Sequence, residues 1–475
     1  MVINSLRDFI EACDKMGQVK RITAEVDWNL EISHIAKLNE IKQGPALLFE
    51  NVKGYDIPVL TSALTTPERL AVTLGMPADY SMCRMAEEWM KIATKELIKP
   101  VEVKTGPVME KVIEGKDINL FDFPALYNYP LDGGRYIGTA CFLISQDPET
   151  GWTNLGTYRM QVLDEKSVGV NAQKGKHAEM HIRKYEKMGK KMPVAAVFGS
   201  DPLQFLVSST MVAAQADEYD LVGALRGEPV EVIKSDLTGL QIPAHAEIIV
   251  EGEIDPTDLR DEGPFGEYTG YYSSKTGKDK PQPWINIKRI LCREKPIYWT
   301  TTVGYPVTDT HMIQCLNRSA VLWTELETMA VPGIKSVFIP PEACGRFWAI
   351  ISVKTMYPGH ANHVASAAIS TTNGHYGLKG VIVVDDDIPA DDIGRVLWSL
   401  AVRYNPAQDS QIIEKGRSTP LDPSLPTDQR EIGSRILMDA TIPYQWKEKP
   451  TLIALDEETE KRVQSRWEEY GFGKA

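Results

Sequence analysis

Cysteine is scarce in this chain of 475 residues: the six present, Cys13, Cys83, Cys141, Cys292, Cys315 and Cys344, include no CxxC pair. So few scattered thiols in so long a chain argue against a disulfide framework and read as free thiols of a reducing compartment. Basic clusters are also lacking. The formal net charge is −13 and no run of Lys and Arg escapes it, which argues against nucleic acid or an anionic membrane surface as partner. No apolar run approaches the length of a bilayer-spanning helix. The N-terminus opens on a charged amphipathic segment, with no visible signal peptide, so a cytoplasmic protein is expected. Internal repeats and low-complexity tracts are absent.

What is present is a globular composition, 43% hydrophobic and 25% charged, over a length suited to roughly two or three domains. Leu6, Phe9, Ile10 and Cys13 recur at helical spacing behind Ser5, a plausible cap. Further helices are expected over Glu31–Lys42, Pro67–Leu74 and Met82–Leu97, with a strand over Ala46–Val52 and an irregular, charged boundary at 98–118. From Leu120 the texture changes to short β-like runs: Tyr136–Gln146, Asn154–Val162, Val168–Val170, Val194–Phe198, Val230–Lys234, Glu247–Glu253 and Trp284–Cys292. Such spacing predicts a barrel or a strongly curved sheet, interrupted by helices at His177–Met188 and Leu203–Ala214. Beyond Thr300 strands and helices alternate again, as in an α/β domain. The Pro-rich stretch Pro406–Pro450 reads as irregular, and Glu457–Tyr470 as an amphipathic helix that suits either its own surface or a partner subunit.

Chemistry-bearing residues concentrate around Asp261–Tyr272, where Glu262 and Glu267 flank a turn made of Gly263, Pro264 and Gly266. Glycine and proline there allow close backbone approach, and a cavity wall with a cationic neighbour would push the two acids apart in pKa. An ordinary solvated hairpin is the alternative, against which Phe265, Tyr268, Tyr271 and Tyr272 weigh. Upstream, Asn154 and Arg159 lie five apart on a β-like run, so a bulge or turn is needed to aim both at one site. Lys176 and His177 open a helix, where backbone N–H groups favour an anion. Asn154, His177 and Glu218 form a donor set suited to Mn²⁺ or Mg²⁺, completed by phosphate oxygens. Taken singly, Asn154 and His177 serve equally as caps. His181 reads as surface or outer shell, His360 and His363 as a helix start, and Asp385–Asp387 as solvated acids capping a helix.

The order and spacing of Asn154, Arg159, Lys176-His177, Glu218 and Glu262-Gly-Pro-Phe-Gly-Glu267 resemble the signature of the UbiD-type decarboxylases. The resemblance extends through Leu6-Arg7-Asp8-Phe9, Pro45–Phe49, Ile118–Phe121, Tyr357–Ala361, Val383–Ile388 and Leu437–Thr441, nearly the whole chain. It is strongest towards the large subunit of the non-oxidative hydroxyarylic acid decarboxylases. This implies an α/β (α+β multidomain) architecture: an N-terminal α/β domain over 1–118, a split β-barrel binding prenylated FMN over 119–300, and a C-terminal α/β domain with an oligomerisation tail over 301–475. It implies Mn²⁺ on Asn154, His177 and Glu218, with K⁺ nearby. The cofactor would be lined by Asn154, Thr157, Tyr158, Arg159, Asn171, Ala172, Gln173, Lys176, His177 and Glu218, and Lys379 would pair with its phosphate. Glu267 would be the proton donor, Arg159 the carboxylate-binding group, and Glu262 the partner that holds Arg159.

The physical chemistry agrees: decarboxylation needs an electron sink and an acid near the reacting carbon, and a buried guanidinium needs carboxylate company. Two positions depart from relatives acting on cinnamic-type acids, Lys176 in place of Gln and Tyr268 in place of Met. A polar wall suits a hydroxylated or otherwise polar ring. Asp309, His311 and Arg318 border that region, either as recognition groups or as a helix start and its surface. The expected activity is reversible decarboxylation of an aromatic acid to an arene and CO₂, by a homodimer or homohexamer with room for small accessory subunits and a flavin prenyltransferase as cofactor supplier. The rival readings are a carboxylase subunit acting on a phenol or phenyl phosphate, a flavin reductase-like oxidoreductase, and a non-catalytic subunit.

Overall fold

The computed structural model describes residues 2–95, 97–212, 216–273 and 281–473. Among them four sheets form. Strands Val19–Ile22, Ala46–Phe49, Val59–Thr61 and Tyr298–Trp299 lie side by side in that order near the N-terminus, so residues far along the chain complete the first sheet. Its helix Leu6–Lys15 buries Leu6, Phe9, Ile10 and Cys13 and is capped by Ser5, whose hydroxyl accepts from the Asp8 amide at 3.2 Å.

The central sheet has nine strands and curls into a half-barrel. Its order is Tyr136–Gly138, Met160–Asp164, Ser167–Val170, Gln282–Cys292, Ile248–Arg260, Met192–Phe198, Cys141–Gln146 and Thr153–Gly156, with Lys111–Glu114 also pairing to Gln282–Cys292. Alternate residues of Gln282–Cys292 point inward, and Ile285, Ile287, Val250, Val168 and Ala196 meet in one apolar cluster. A three-stranded sheet, Gln241–Pro243, Glu231–Lys234 and Val101–Glu102, flanks it. Residues 98–118, expected to be irregular, thus contribute two short strands. The C-terminal five-stranded sheet runs Ile334–Phe338, Trp348–Val353, Gly380–Asp385, Ile432–Ala440, Ser410–Arg417. The twenty-residue helix Asp309–Thr328 joins it to the half-barrel.

Three expectations need correction here. The stretch Pro406–Pro450 carries the antiparallel strands Ser410–Arg417 and Ile432–Ala440. The first lies at the sheet edge with both faces largely exposed, so the alternation that reveals a half-buried strand is missing. The helix begun at Pro202 ends at Ser208, and Ala214 lies outside the described residues. Asp385 and Asp387 are not solvated caps: both accept from Arg403, at 3.0 and 2.7 Å, while Asp392 caps the following helix.

Arg69 knits the N-terminal part. It is fully buried and donates to the carbonyls of Ala63 (2.9 Å), Gly44 (3.0 Å) and Ser62 (3.3 Å), to Gln18 Oε1 (2.7 Å) and to Thr65 Oγ1 (2.6 Å). Arg69→Met keeps the volume but strands these acceptors, and is expected to cost about 3 kcal/mol. An unchanged urea midpoint would contradict that reading.

Candidate active site

Thr153–Gly156 and Met160–Asp164 are separate strands, and Thr157, Tyr158 and Arg159 fill the break between them. That interruption frees Asn154 and Arg159 from the strict face alternation of a single strand. Thr157 is tied to Ser208 by N–H to carbonyl (3.2 Å) and hydroxyl to hydroxyl (3.0 Å) contacts. Tyr158 is buried, and its hydroxyl accepts from the Ala178 amide at 3.2 Å at the start of the helix His177–Lys187.

Asn154, His177 and Glu218 come together as expected. Asn154 Oδ1 lies 2.9 Å from His177 Nδ1, and Glu218 Oε2 accepts from the amide of Leu155, the residue next to Asn154, at 3.0 Å. His177 and Glu218 each begin a helix. Burial pushes the Glu218 carboxyl up to about 8. Burial, then the charge of Lys176, lowers His177, which leaves a neutral ring. The Trp152 ring stands edge-on to it at 4.8 Å. Asn154 Nδ2 is buried without a hydrogen-bond partner. An amide oxygen, a neutral imidazole and a carboxylate that needs a counter-charge fit a divalent cation.

These residues line a cleft of about 490 Å³ shared with Lys176, Arg318, Arg346, Arg417, His375 and the loop after Ser208. Burial pushes the Lys176 ammonium down to about 7, reinforced by the positive charges of Arg346, Arg318 and Arg417. Four cations on one wall beside a helix N-terminus make a receptacle for a polyanion such as a phosphate. Arg346 and Arg417 were not foreseen. Arg417 belongs to the edge strand that the sequence hides, and Arg346 follows two residues with φ of +61° and +59°. Lys379 donates to Asp422 (2.9 Å) and Ser424 (2.6 Å), and it is not among the residues lining the cleft. The Asp422 carboxylate competes for it.

Arg159 is the hub of the second cluster. Its Nε and Nη2 donate to Glu262 Oε1 (2.8 Å) and Oε2 (2.7 Å), and its Nη1 donates to Glu267 Oε1. Glu262 is fully buried and also accepts from Tyr136 Oη (3.0 Å) and Asn171 Nδ2 (3.1 Å). Burial opposes the guanidinium charge, but Glu267 and Glu262 outweigh it and hold Arg159 well above its ordinary pKa. The Phe265 ring lies 5.0 Å from Arg159 Cζ and 4.5 Å from the Tyr136 ring. Ala172 is buried behind Asn171, and Gln173 forms the turn that leads to Lys176.

Tyr268 is buried beside the cleft residue Arg346, whose Cζ lies 5.2 Å from its ring. Arg318 also belongs there and bonds Asn373 Oδ1 at 3.1 Å. Asp309 instead accepts from the Leu64 amide, and His311 joins the cap of its helix. His181 is buried against Ser145 Oγ at 3.0 Å, and its ring stands edge-on to that of Trp152 at 5.1 Å. His360 opens a helix and accepts from the Met356 amide at 3.2 Å.

Family models of 3-octaprenyl-4-hydroxybenzoate carboxy-lyase (UbiD) match most of the chain: the N-terminal domain over residues 10–89, the Rift-related domain over 99–306 and the C-terminal domain over 311–440. An uncharacterized protein of Aquifex aeolicus (strain VF5) is 36% identical over 493 residues, covering 98% of each chain. Vanillic acid decarboxylase of Sedimentibacter hydroxybenzoicus, in an open form, superposes with a TM-score of 0.90 at 32% identity, over 99% of this chain and 100% of that one. The UbiD-class enzyme HmfF of Pelotomaculum thermopropionicum in complex with FMN gives 0.86 at 29% identity, over 96% and 98%.

Removing Glu262 would leave the Arg159 charge short of its main partner inside the protein. Glu262→Leu is expected to destabilise the fold by about 3–5 kcal/mol, and Glu262→Gln, which keeps an acceptor, by less. Urea unfolding of the cofactor-free protein measures both, and equal stability of wild type and Glu262→Leu would contradict the pairing.

Proposed function

The chain belongs to the UbiD family of carboxy-lyases, and we propose that it decarboxylates a hydroxylated or otherwise polar aromatic acid with prenylated FMN. The observation that carries this is the meeting of Glu262 and Glu267 on buried Arg159, close to a cleft with a cationic wall and an Asn–His–Glu trio. Relatives bound to FMN and prenylated FMN support the cofactor.

Asn154, His177 and Glu218 would hold Mn²⁺, which would tie the cofactor phosphate to the protein, with K⁺ close by. Lys176, Arg318, Arg346 and Arg417 supply the balancing charge. When bound, prenylated FMN supplies the electron sink for the carbon–carbon bond that breaks. Arg159 binds the substrate carboxylate and Glu262 keeps that guanidinium in place. Glu267 gives its proton to the ring carbon that loses CO₂ and regains one from water. Tyr268, beside Arg346, presents a polar wall to the ring, which supports the substrate class. A homodimer or homohexamer is supported by apolar side chains left in water: Ile393, Leu397 and Val402 on one helix, and Leu452, Ile453 and Leu455 before the last one.

The test is anaerobic turnover of hydroxybenzoates, benzoate, heteroaryl carboxylates and cinnamates by protein co-produced with a flavin prenyltransferase. One class should react. Glu267→Gln should lower its turnover by about 10²–10⁴-fold with flavin and Mn²⁺ contents unchanged, and survival of the rate would remove Glu267 as the acid. Glu218→Ala should lose Mn²⁺ and flavin together. Full flavin occupancy without metal would overturn the proposed tether.

A further inference from the structure

The turn that carries Glu267 is gripped on both sides by side chains from elsewhere in the chain. The amide of Gly266, the residue before it, donates to Asp132 Oδ1 at 2.9 Å. The carbonyl of Tyr268, the residue after it, lies 2.6 Å from His311 Nε2. One peptide group further out on each side of Glu267 is thus fixed by a buried side chain, one an acceptor and the other a donor.

Both side chains are themselves fixed. Asp132 Oδ2 accepts from the Tyr129 amide (3.0 Å), the Asp132 amide donates back to the Tyr129 carbonyl (3.0 Å), and its own carbonyl accepts from Tyr127 Oη (2.8 Å). Next to it, the Gly133 amide donates to the Pro264 carbonyl at 2.7 Å, and a Cβ at position 133 would run into the Gly263 carbonyl. Loop and turn therefore touch backbone to backbone. The Tyr129 ring fills the space that a side chain at Gly266 would need. His311 Nδ1 accepts from the Thr308 amide at 3.0 Å, which makes Nε2 the protonated nitrogen and hence the donor to Tyr268. Burial lowers the ring to about 4, so it stays neutral with one donor and one acceptor.

We infer that Asp132 and His311 are positioning residues that bracket Glu267 and set the direction of its carboxyl group. The inference rests on Glu267 as the proton donor. The polar atoms of both bracket residues are engaged within the protein, Asp132 with the Gly266 and Tyr129 amides and His311 with Thr308 and the Tyr268 carbonyl. Arg159 fixes only the far end of the Glu267 side chain. A turn free to spread would let the carboxyl follow Arg159 while drifting from the ring carbon, and a misplacement of about 1 Å can cost on the order of 100-fold in rate.

The experiment compares wild type, Asp132→Ala, Asp132→Asn, His311→Leu, His311→Gln and Glu267→Gln as holoenzymes, on the acid of the panel that wild type turns over fastest. Asp132→Ala and His311→Leu should lower kcat by about 10- to 100-fold with KM within about 3-fold. The solvent deuterium isotope effect on kcat should rise as proton transfer becomes limiting. Asp132→Asn and His311→Gln keep one acceptor and one donor and should recover part of the rate; they also carry the test if the larger truncations do not fold. In cofactor-free protein, amides of residues 266–271 should exchange at least about tenfold faster in each truncation. Wild-type kcat and unchanged exchange in the variants would overturn the inference. So would a loss of rate matched by lost flavin with an unchanged isotope effect. A Glu267→Gln protein that turns over normally would instead remove the acid assignment beneath it, and the exchange data would still decide whether the turn is braced.

Discussion

A guanidinium taken out of water is the constraint around which this molecule is arranged. Arg159 has a side chain only 9% exposed, and such a charge is tolerated only where carboxylates and further hydrogen bonds replace its hydration. Glu262 supplies a two-point grip, and Tyr136 and Asn171 hold Glu262 in turn. Glu267 is the second carboxylate on the same cation. Glu262 is bonded at both oxygens and Glu267 meets the same guanidinium through Oε1, so two buried acids share one cation.

The charges of the site are sorted along the molecule. Carboxylates gather on the turn from the half-barrel, while the cations Arg318, Arg346 and Arg417 come from the long helix and the C-terminal sheet. Tyr268, Phe265, Tyr136 and Phe347 form an apolar cluster at the junction. Assembly of the candidate site therefore needs the half-barrel and the C-terminal sheet to dock, and a change in that docking would move cations relative to acids. In this arrangement, packing between distant parts of the chain is a term in the chemistry as well as in stability.

Much of this was legible from residues. The curved sheet announced itself through closely spaced β-like runs, and the requirement for a break between Asn154 and Arg159 is met by residues 157–159. The pairing of Arg159 with both glutamates was what the resemblance to the UbiD-type decarboxylases implied, and the cost of burying a guanidinium agreed with it. What stayed hidden has physical reasons. An edge strand such as Ser410–Arg417, wet on both faces, carries no alternation, so Arg417 could not be placed. Lys379 could pair with a phosphate or with Asp422, and only the fold reveals that Asp422 lies within reach. Asp132 sits in a Gly-rich turn and looks like any turn acid. Its role depends on a contact across 134 positions that local patterns cannot carry. His311 was singled out as a recognition group or a helix start, and the structure gives it the second place together with a bond to the Tyr268 carbonyl.

The central claim is that the acid turn and the cationic cleft act on one bound molecule. Diffraction from crystals of the prenylated-FMN holoprotein soaked with a non-reacting aromatic carboxylate, recorded with manganese anomalous signal, tests it most directly. The account predicts a manganese peak among Asn154, His177 and Glu218, with the carboxylate on Arg159 and Glu267 facing the ring. A carboxylate bound instead against Arg346, with Glu267 remote from the ring, would contradict it.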